Sequence, residues 1–184
     1  NHPKVNVNCY HIVSTNDKKI KDTPLTLAID YNQFEIVKLL LEHQKIDVNM
    51  PQICICNDEI TKKSPLFFAI EKKNENFVEL LLSHPKIDVN LTKSIKSNNQ
   101  EIYISPLNYA IKKNMPKIVK LILKHQKIDV NLQSIFKDKD SLYKKSSNLL
   151  LAFEHNNIEI FDHLLQQQKI DVNIFDFKNT KNSV

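Results

Sequence analysis

Lys45-Ile-Asp-Val-Asn49 recurs unchanged from Lys86, Lys127 and Lys169, and a variant, Lys4-Val-Asn-Val-Asn8, stands near the start. The spacings are 41, 41, 41 and 42 residues. A second phrase lies between these marks: Thr23-Pro-Leu-Thr-Leu-Ala-Ile29, Ser64-Pro-Leu-Phe-Phe-Ala-Ile70, Ser105-Pro-Leu-Asn-Tyr-Ala-Ile111 and Ser147-Asn-Leu-Leu-Leu-Ala-Phe153. A fixed period between about 20 and 50 residues marks a stack of small units, each burying its apolar face against the next.

The unit reads as two short helices. Thr23 supplies an N-cap hydroxyl, and Pro24 sits in the first turn, where its missing N–H costs nothing. Leu25 and Ala28 share a face, with Leu27 and Ile29 beside them, which predicts a helix over 24–31. Asn32 follows, and Asn tolerates the left-handed conformation that ends a helix. Asn114 and Asn156 stand at the same phase, while Lys73 holds it in the second unit, with Asn74 next. A second helix is predicted over 34–42. Its apolar residues, Phe34, Ile36, Val37, Leu39, Leu40 and Leu41, cover more than one stripe, so it should be covered on two sides. Glu35, Lys38 and Glu42 form its outward row. Phe77-Val-Glu-Leu-Leu-Leu82 and Ile118-Val-Lys-Leu-Ile-Leu123 repeat the pattern, and Pro116 falls at a tolerated first-turn position.

The repeated phrase then runs extended, with Ile46 and Val48 alternating with Asp47 and Asn49. Long connections follow, at 9–22, 50–63, 91–104 and 132–146. Apolar pairs such as Ile12-Val13, Ile53-Cys-Ile55, Ile102-Tyr-Ile104 and Ile135-Phe136 give them strand character, and Asn16, Asn57, Asn98 and Asp140 mark polar tips. They read as protruding β-hairpins. A loop without strands is the competing reading, because Lys, Asn and Ser dominate the tips.

Composition narrows the chemistry. The chain contains no Gly, and all 26 basic residues are Lys. With Asn and Ile also abundant, this is the residue usage of AT-rich coding, so the net charge of +5 is a weak sign of nucleic-acid binding. A dedicated nucleic-acid surface would use the planar fork of Arg. The four hairpin stretches together carry +4 of that charge, and Lys117, Lys120 and Lys124 make a separate basic row on a second helix. Such a row is ordinarily solvated surface, and it would otherwise attract an acidic protein, nucleic acid or anionic membrane. No apolar run reaches the ~20 residues of a spanning helix. The three cysteines, Cys9, Cys54 and Cys56, are an odd number that suits reduced thiols in a cytoplasm better than a disulfide framework. The chain opens on the repeated phrase without Met, which reads as an excerpt of a longer array.

His2, His43, His84 and His125 recur in phase, and the fourth complete unit has Gln167 in that place. Packed helices lie ~8–10 Å apart, whereas ligands sit ~2 Å from a metal, so adjacent members cannot share one ion. A helix C-terminal capping role is expected instead. Nucleophilic catalysis needs Ser or Cys, a base and an orienting acid within reach. Here the cysteines fall on hairpins and the recurring histidines at the opposite end of the unit. No Gly-rich phosphate loop is available. No enzyme, cofactor or metal is expected.

Thr23-Pro-Leu with Ala28, then Ile36-Val-Lys-Leu-Leu-Leu41, then Asp47-Val-Asn49 resembles the ankyrin repeat, whose unit is about 33 residues. The departures are clear: Thr26, Phe67, Asn108 and Leu150 replace the family's His, both family glycines are gone, and the hairpins are longer. Asn148 and Phe153 suggest that the last unit is a weak or capping one. The resemblance implies an all-α solenoid, an ankyrin stack of helix-turn-helix units with extended β-hairpin fingers. It forms one domain over 1–184, with a partial leading repeat at 1–22 and units at 23–63, 64–104, 105–146 and 147–184. It also implies a cytoplasmic protein-interaction scaffold, monomeric or weakly self-associating, whose partner is another protein, with an acidic one as an option. The alternatives are a basic binder of nucleic acid or anionic membrane, or the targeting region of a larger enzyme. Carried over by position, the inner-helix candidates are Asp30, Tyr31, Glu71, Lys72, Lys112, Lys113, Glu154 and His155. The finger candidates are Tyr10, Ile12, Ile53, Ile55, Tyr103, Phe136 and Tyr143.

Overall fold

The computed structural model describes residues 6–97, 100–137 and 143–173, with backbone alone at 100, 135–137 and 143–146. Four times a hairpin is followed by a helix pair: β1 (His11–Ser14) and β2 (Lys18–Asp22), then α1 (Pro24–Asp30) and α2 (Phe34–Leu41). The second set is β3 (Gln52–Cys56), β4 (Glu59–Lys63), α3 (Pro65–Glu71) and α4 (Glu75–Leu82). The third is β5 (Lys93–Ser97), β6 (Gln100–Ile104), α5 (Pro106–Lys112) and α6 (Pro116–Leu123). The fourth is β7 (Ser134–Lys137), β8 (Tyr143–Ser146), α7 (Asn148–Glu154) and α8 (Ile158–Leu165).

Caps fix where each first helix begins. Hydroxyls of Thr23, Ser64, Ser105 and Ser147 accept the N–H groups of Thr26, Phe67, Asn108 and Leu150. Thr26, in place of the family His, returns the favour by accepting the Thr23 N–H at 2.9 Å. Helix ends turn through the left-handed region at Asn32, Lys73, Asn114 and Asn156, with φ between 49° and 57°. Asn does here what Gly does elsewhere, and its side chain adds something Gly lacks. Asn74 donates to Asn32 Oδ1 at 3.0 Å, and Asn157 donates to Asn114 Oδ1.

The repeated phrase joins the units. Asn49 gives its Nδ2 to the Lys86 carbonyl and takes the Asp88 N–H, both at 2.8 Å. Asn8, Asn90 and Asn131 do the same with Lys45 and Asp47, Lys127 and Asp129, and Lys169 and Asp171. Each Asp in turn accepts the N–H of its own Asn at 2.9–3.0 Å. The phrase is thus a side-chain ladder, and Ile46, Val48, Ile87 and Val89 are buried beneath it.

The hairpins form as expected, but they do not stand apart. All eight strands zip into one antiparallel sheet in chain order. Within hairpins, Ile55 faces Ile60 and Ile95 faces Ile102; between them, Ile20 faces Cys54, Thr61 faces Ile95 and Ile102 faces Phe136. The all-α class therefore does not describe the molecule. Stacked units bring each finger's open edge within reach of the next, and free N–H and C=O groups pair when they meet. At the β3–β4 tip, Asn57 and Asp58 both have positive φ, 46° and 62°, as a two-residue hairpin loop of this hand requires. The tips expected at Asn98 and Asp140 lie outside the described residues.

Burial departs from expectation at the leading helix. Ile36 of α2 is 49% exposed, whereas its counterparts Phe77, Ile118 and Ile160 are at most 3% exposed. Phe34 and Leu39 are exposed as well. The apolar pattern of α2 is that of a helix covered on two sides, and its helix neighbours among the described residues are α1 and α4, which leave Phe34, Ile36 and Leu39 open. Asn148 stands where the first three units have proline. It is buried, donates to the Val130 carbonyl at 2.6 Å and accepts from buried Asn108, which accepts from the Ser134 hydroxyl. A fully partnered buried amide chain of this kind ties the last two units together.

Candidate functional site

The finger sheet meets the C-terminal ends of the first helices, and α3 marks the junction. Lys63 of β4 and Lys93 of β5 reach Glu71 at the end of α3, at 2.8 and 3.0 Å, which fixes the sheet face turned toward the helices. Strand register then places Val13, Ile20, Cys54, Thr61, Ile95 and Ile102 on that same face, as one mostly apolar lane across six strands. Cross-strand partners share a face because side chains alternate along each strand.

Lysine and aromatic rings line the helix side. The ammonium of Lys63 lies 4.9 Å from the Phe68 ring centre, Lys72 lies 5.5 Å from it, and Lys93 lies 5.6 Å from Phe67. Lys113 lies 5.8 Å from Tyr109, whose ring tilts against Phe67. Burial pushes the Glu71 carboxyl up, but hydrogen bonds and charge from Lys63 and Lys93 more than offset it, leaving it below the ordinary 4.5. Burial, then the Glu71 charge, pushes the Tyr109 hydroxyl up.

The inner-helix candidates fall on this surface by virtue of a shared phase. Asp30 pairs with Lys72 at 2.5 Å, and Glu71 is the carboxylate just described. Lys112 ends α5, Lys113 follows it, and Tyr31, Glu154 and His155 are exposed at the matching ends of α1 and α7. The finger candidates divide. Register puts Ile12, Ile53 and Tyr103 in one row on the opposite face, with Ile55 beside them. There Tyr103 donates to Glu101 at 3.2 Å and lies near Lys96, which pairs with Glu101 at 2.8 Å. Tyr10 donates to the Pro51 carbonyl at 3.1 Å, a tie between units. Phe136 and Tyr143 lie in β7 and β8, where only backbone pairing is described. Counting by strand phase could have separated the two faces in the sequence, but not which face meets the helices. The Lys63–Glu71–Lys93 bridge spans three elements and had no sequence signal.

The recurring histidines follow the second helices, and their rings accept a hydrogen bond there rather than donate one. Nδ1 of His43, His84 and His125 accepts the N–H of Lys45, Lys86 and Lys127 at 3.2–3.3 Å. An accepting nitrogen needs the neutral ring. Burial, then the neighbouring Lys86 and Lys127, holds His84 and His125 below the usual histidine range. On the outer face, the Lys117-Lys120-Lys124 row lies between acidic neighbours. Equivalent positions on α2, α4, α6 and α8 are Lys38, Glu79, Lys120 and Asp162, so charge alternates across the stack. Lys117 comes within 3.9 Å of Glu75.

Residues 4–93, which span three of the repeated phrases, match the protein family described as ankyrin repeats, in three copies. Among solved structures, an ankyrin repeat protein, EF0377, is 20% identical with a TM-score of 0.59, covering 83% of this chain and 65% of its own. An ankyrin repeat domain from Acinetobacter baumannii AYE gives 21%, 0.59, 83% and 65%. The ankyrin repeat domain of Bcl-3, a member of the IkappaB protein family, gives 23%, 0.53, 78% and 51%. No protein of curated function matches the chain in sequence. The chain thus spans less than two thirds of each of these three structures. It is an ankyrin-repeat protein, by family match over 4–93 and by fold along its described length. Ankyrin repeats are in general protein-interaction modules. Among the described residues no helix is long and apolar enough to cross a membrane.

Proposed function

We propose that this chain is a protein-binding scaffold module without chemistry of its own, and that its partner lies on the surface between the finger sheet and the inner helix ends. The observation that carries this reading is the union of eight strands into one wall, with an apolar lane facing a row of lysines and rings. A site with an apolar centre and a polar rim is what protein recognition uses. Cytoplasmic residence fits the three free cysteines. The nucleic-acid or membrane alternative draws no support from the outer face, where Glu79 and Asp162 stand on either side of Lys120.

The test is affinity capture with this chain, identification of the bound protein, and binding by Ile102→Asn and Tyr103→Ala variants. This reading expects Ile102→Asn to weaken capture with its melting temperature held, and Tyr103→Ala to leave capture intact. The reverse pattern would move the site to the opposite sheet face.

A further inference from the structure

We propose that the middle of the surface between finger sheet and helix ends, over the second and third units, receives a segment of partner protein that carries carboxylates among apolar residues. The inference rests on the protein-binding reading above and adds the partner's chemistry. Lys63, Lys72, Lys93 and Lys113 gather there around two carboxylates, Asp30 and Glu71, with Glu59 further out on the same face of β4. Asp30 holds one lysine and Glu71 two, and Lys113 over Tyr109 adds a further cation, so the middle keeps a positive surplus, four lysines to three carboxylates. The outer face does not, because Lys38, Glu79, Lys120 and Asp162 alternate in sign.

Position strengthens that surplus. All four ammonium groups lie 4.9–5.8 Å from the centre of an aromatic ring. A ring face holds a cation in place, so an arriving carboxylate meets groups already oriented. Thr61, Ile95 and Ile102 run alongside and offer the segment's apolar side chains a strip to cover. A nucleic acid would need open ring faces for its bases. Here Phe67 and Phe68 are buried, and Lys113 lies over Tyr109.

The test is fluorescence anisotropy of the full chain with labelled peptides of alternating Leu-Glu, Leu-Gln and Leu-Lys, and with a single-stranded oligonucleotide, at low and high salt. Expected is binding of the Leu-Glu peptide about tenfold tighter than the Leu-Gln peptide, with the margin shrinking in high salt. A Lys72→Gln/Lys113→Gln double variant should remove most of that margin, and Lys117→Gln/Lys124→Gln on the outer face should leave it. Equal affinity for Leu-Glu and Leu-Gln, or no binding of either, overturns the acidic-segment proposal. So does oligonucleotide binding as tight as that of the Leu-Glu peptide and lost in the same double variant. The wider protein-binding reading is judged separately, by the captured partner's response to Ile102→Asn.

Discussion

Neighbouring units meet along two edges built on opposite plans. On the edge of the repeated phrase, the joint is made by one side chain, Asn, which donates to a carbonyl and accepts an N–H of the next unit at 2.7–2.9 Å. On the finger edge, the joint is made by backbone, and the facing pairs are free to differ: Lys21 with Ile53, Lys62 with Ser94, Tyr103 with Ile135. A joint made by a side chain fixes its residue; a joint made by main chain releases its side chains for other work. This is why the sequence repeats on one edge and varies on the other, and it supports the proposal that recognition uses the varying edge.

The largest test of that contrast is Asn90→Ala. It removes two inter-unit hydrogen bonds, so a loss of about 2 kcal/mol is expected in urea denaturation, with peptide binding unchanged. A loss near zero would reduce the ladder to decoration.

Glu71→Gln comes next, with a loss of about 1–2 kcal/mol at neutral pH from the weakened bridge to Lys63 and Lys93. Its sign with pH follows from a carboxyl held below 4.5 in the fold. The stabilisation is present above that value and is lost as pH falls through the lower folded value. The gap between native and variant should therefore be flat near neutrality and close under acid; a gap that widens on acidification would contradict the bridge.

Lys73→Asn should do the opposite and stabilise by about 0.5–1 kcal/mol. Lys73 holds a φ of 57° that Asn adopts at the three matching turns. The smallest effect expected is Tyr103→Ala, about 0.5 kcal/mol from cross-strand contacts, read as a slight fall in melting temperature.

Much of the helical layer was legible because its signals are local. Thr23 and Pro24 mark a start, Asn32 and even Lys73 mark a stop, and the apolar spacing between them sets the faces. The sheet was legible only as separate hairpins. A pair such as Lys19 with Ile55 joins residues whose proximity depends on how closely the helix pairs stack, and no local pattern encodes that distance. The same limit hid the site. Lys63, Glu71 and Lys93 look like ordinary surface charges in the sequence, and only the fold brings two ammonium groups to one carboxylate. The exposed face of α2 shows the limit from the other side: its pattern specifies a neighbour, not whether one is there.

The continuous sheet also sets how the molecule breathes. Among the described residues, β2 to β7 are paired along both edges and β1 along one, so opening an inner finger strips hydrogen bonds from two edges. Local openings of this sort are what amide hydrogen exchange reads. Backbone amides of β3 to β6 should therefore outlast those of β1, writing a gradient of protection along the finger row that side-chain identity alone would not produce.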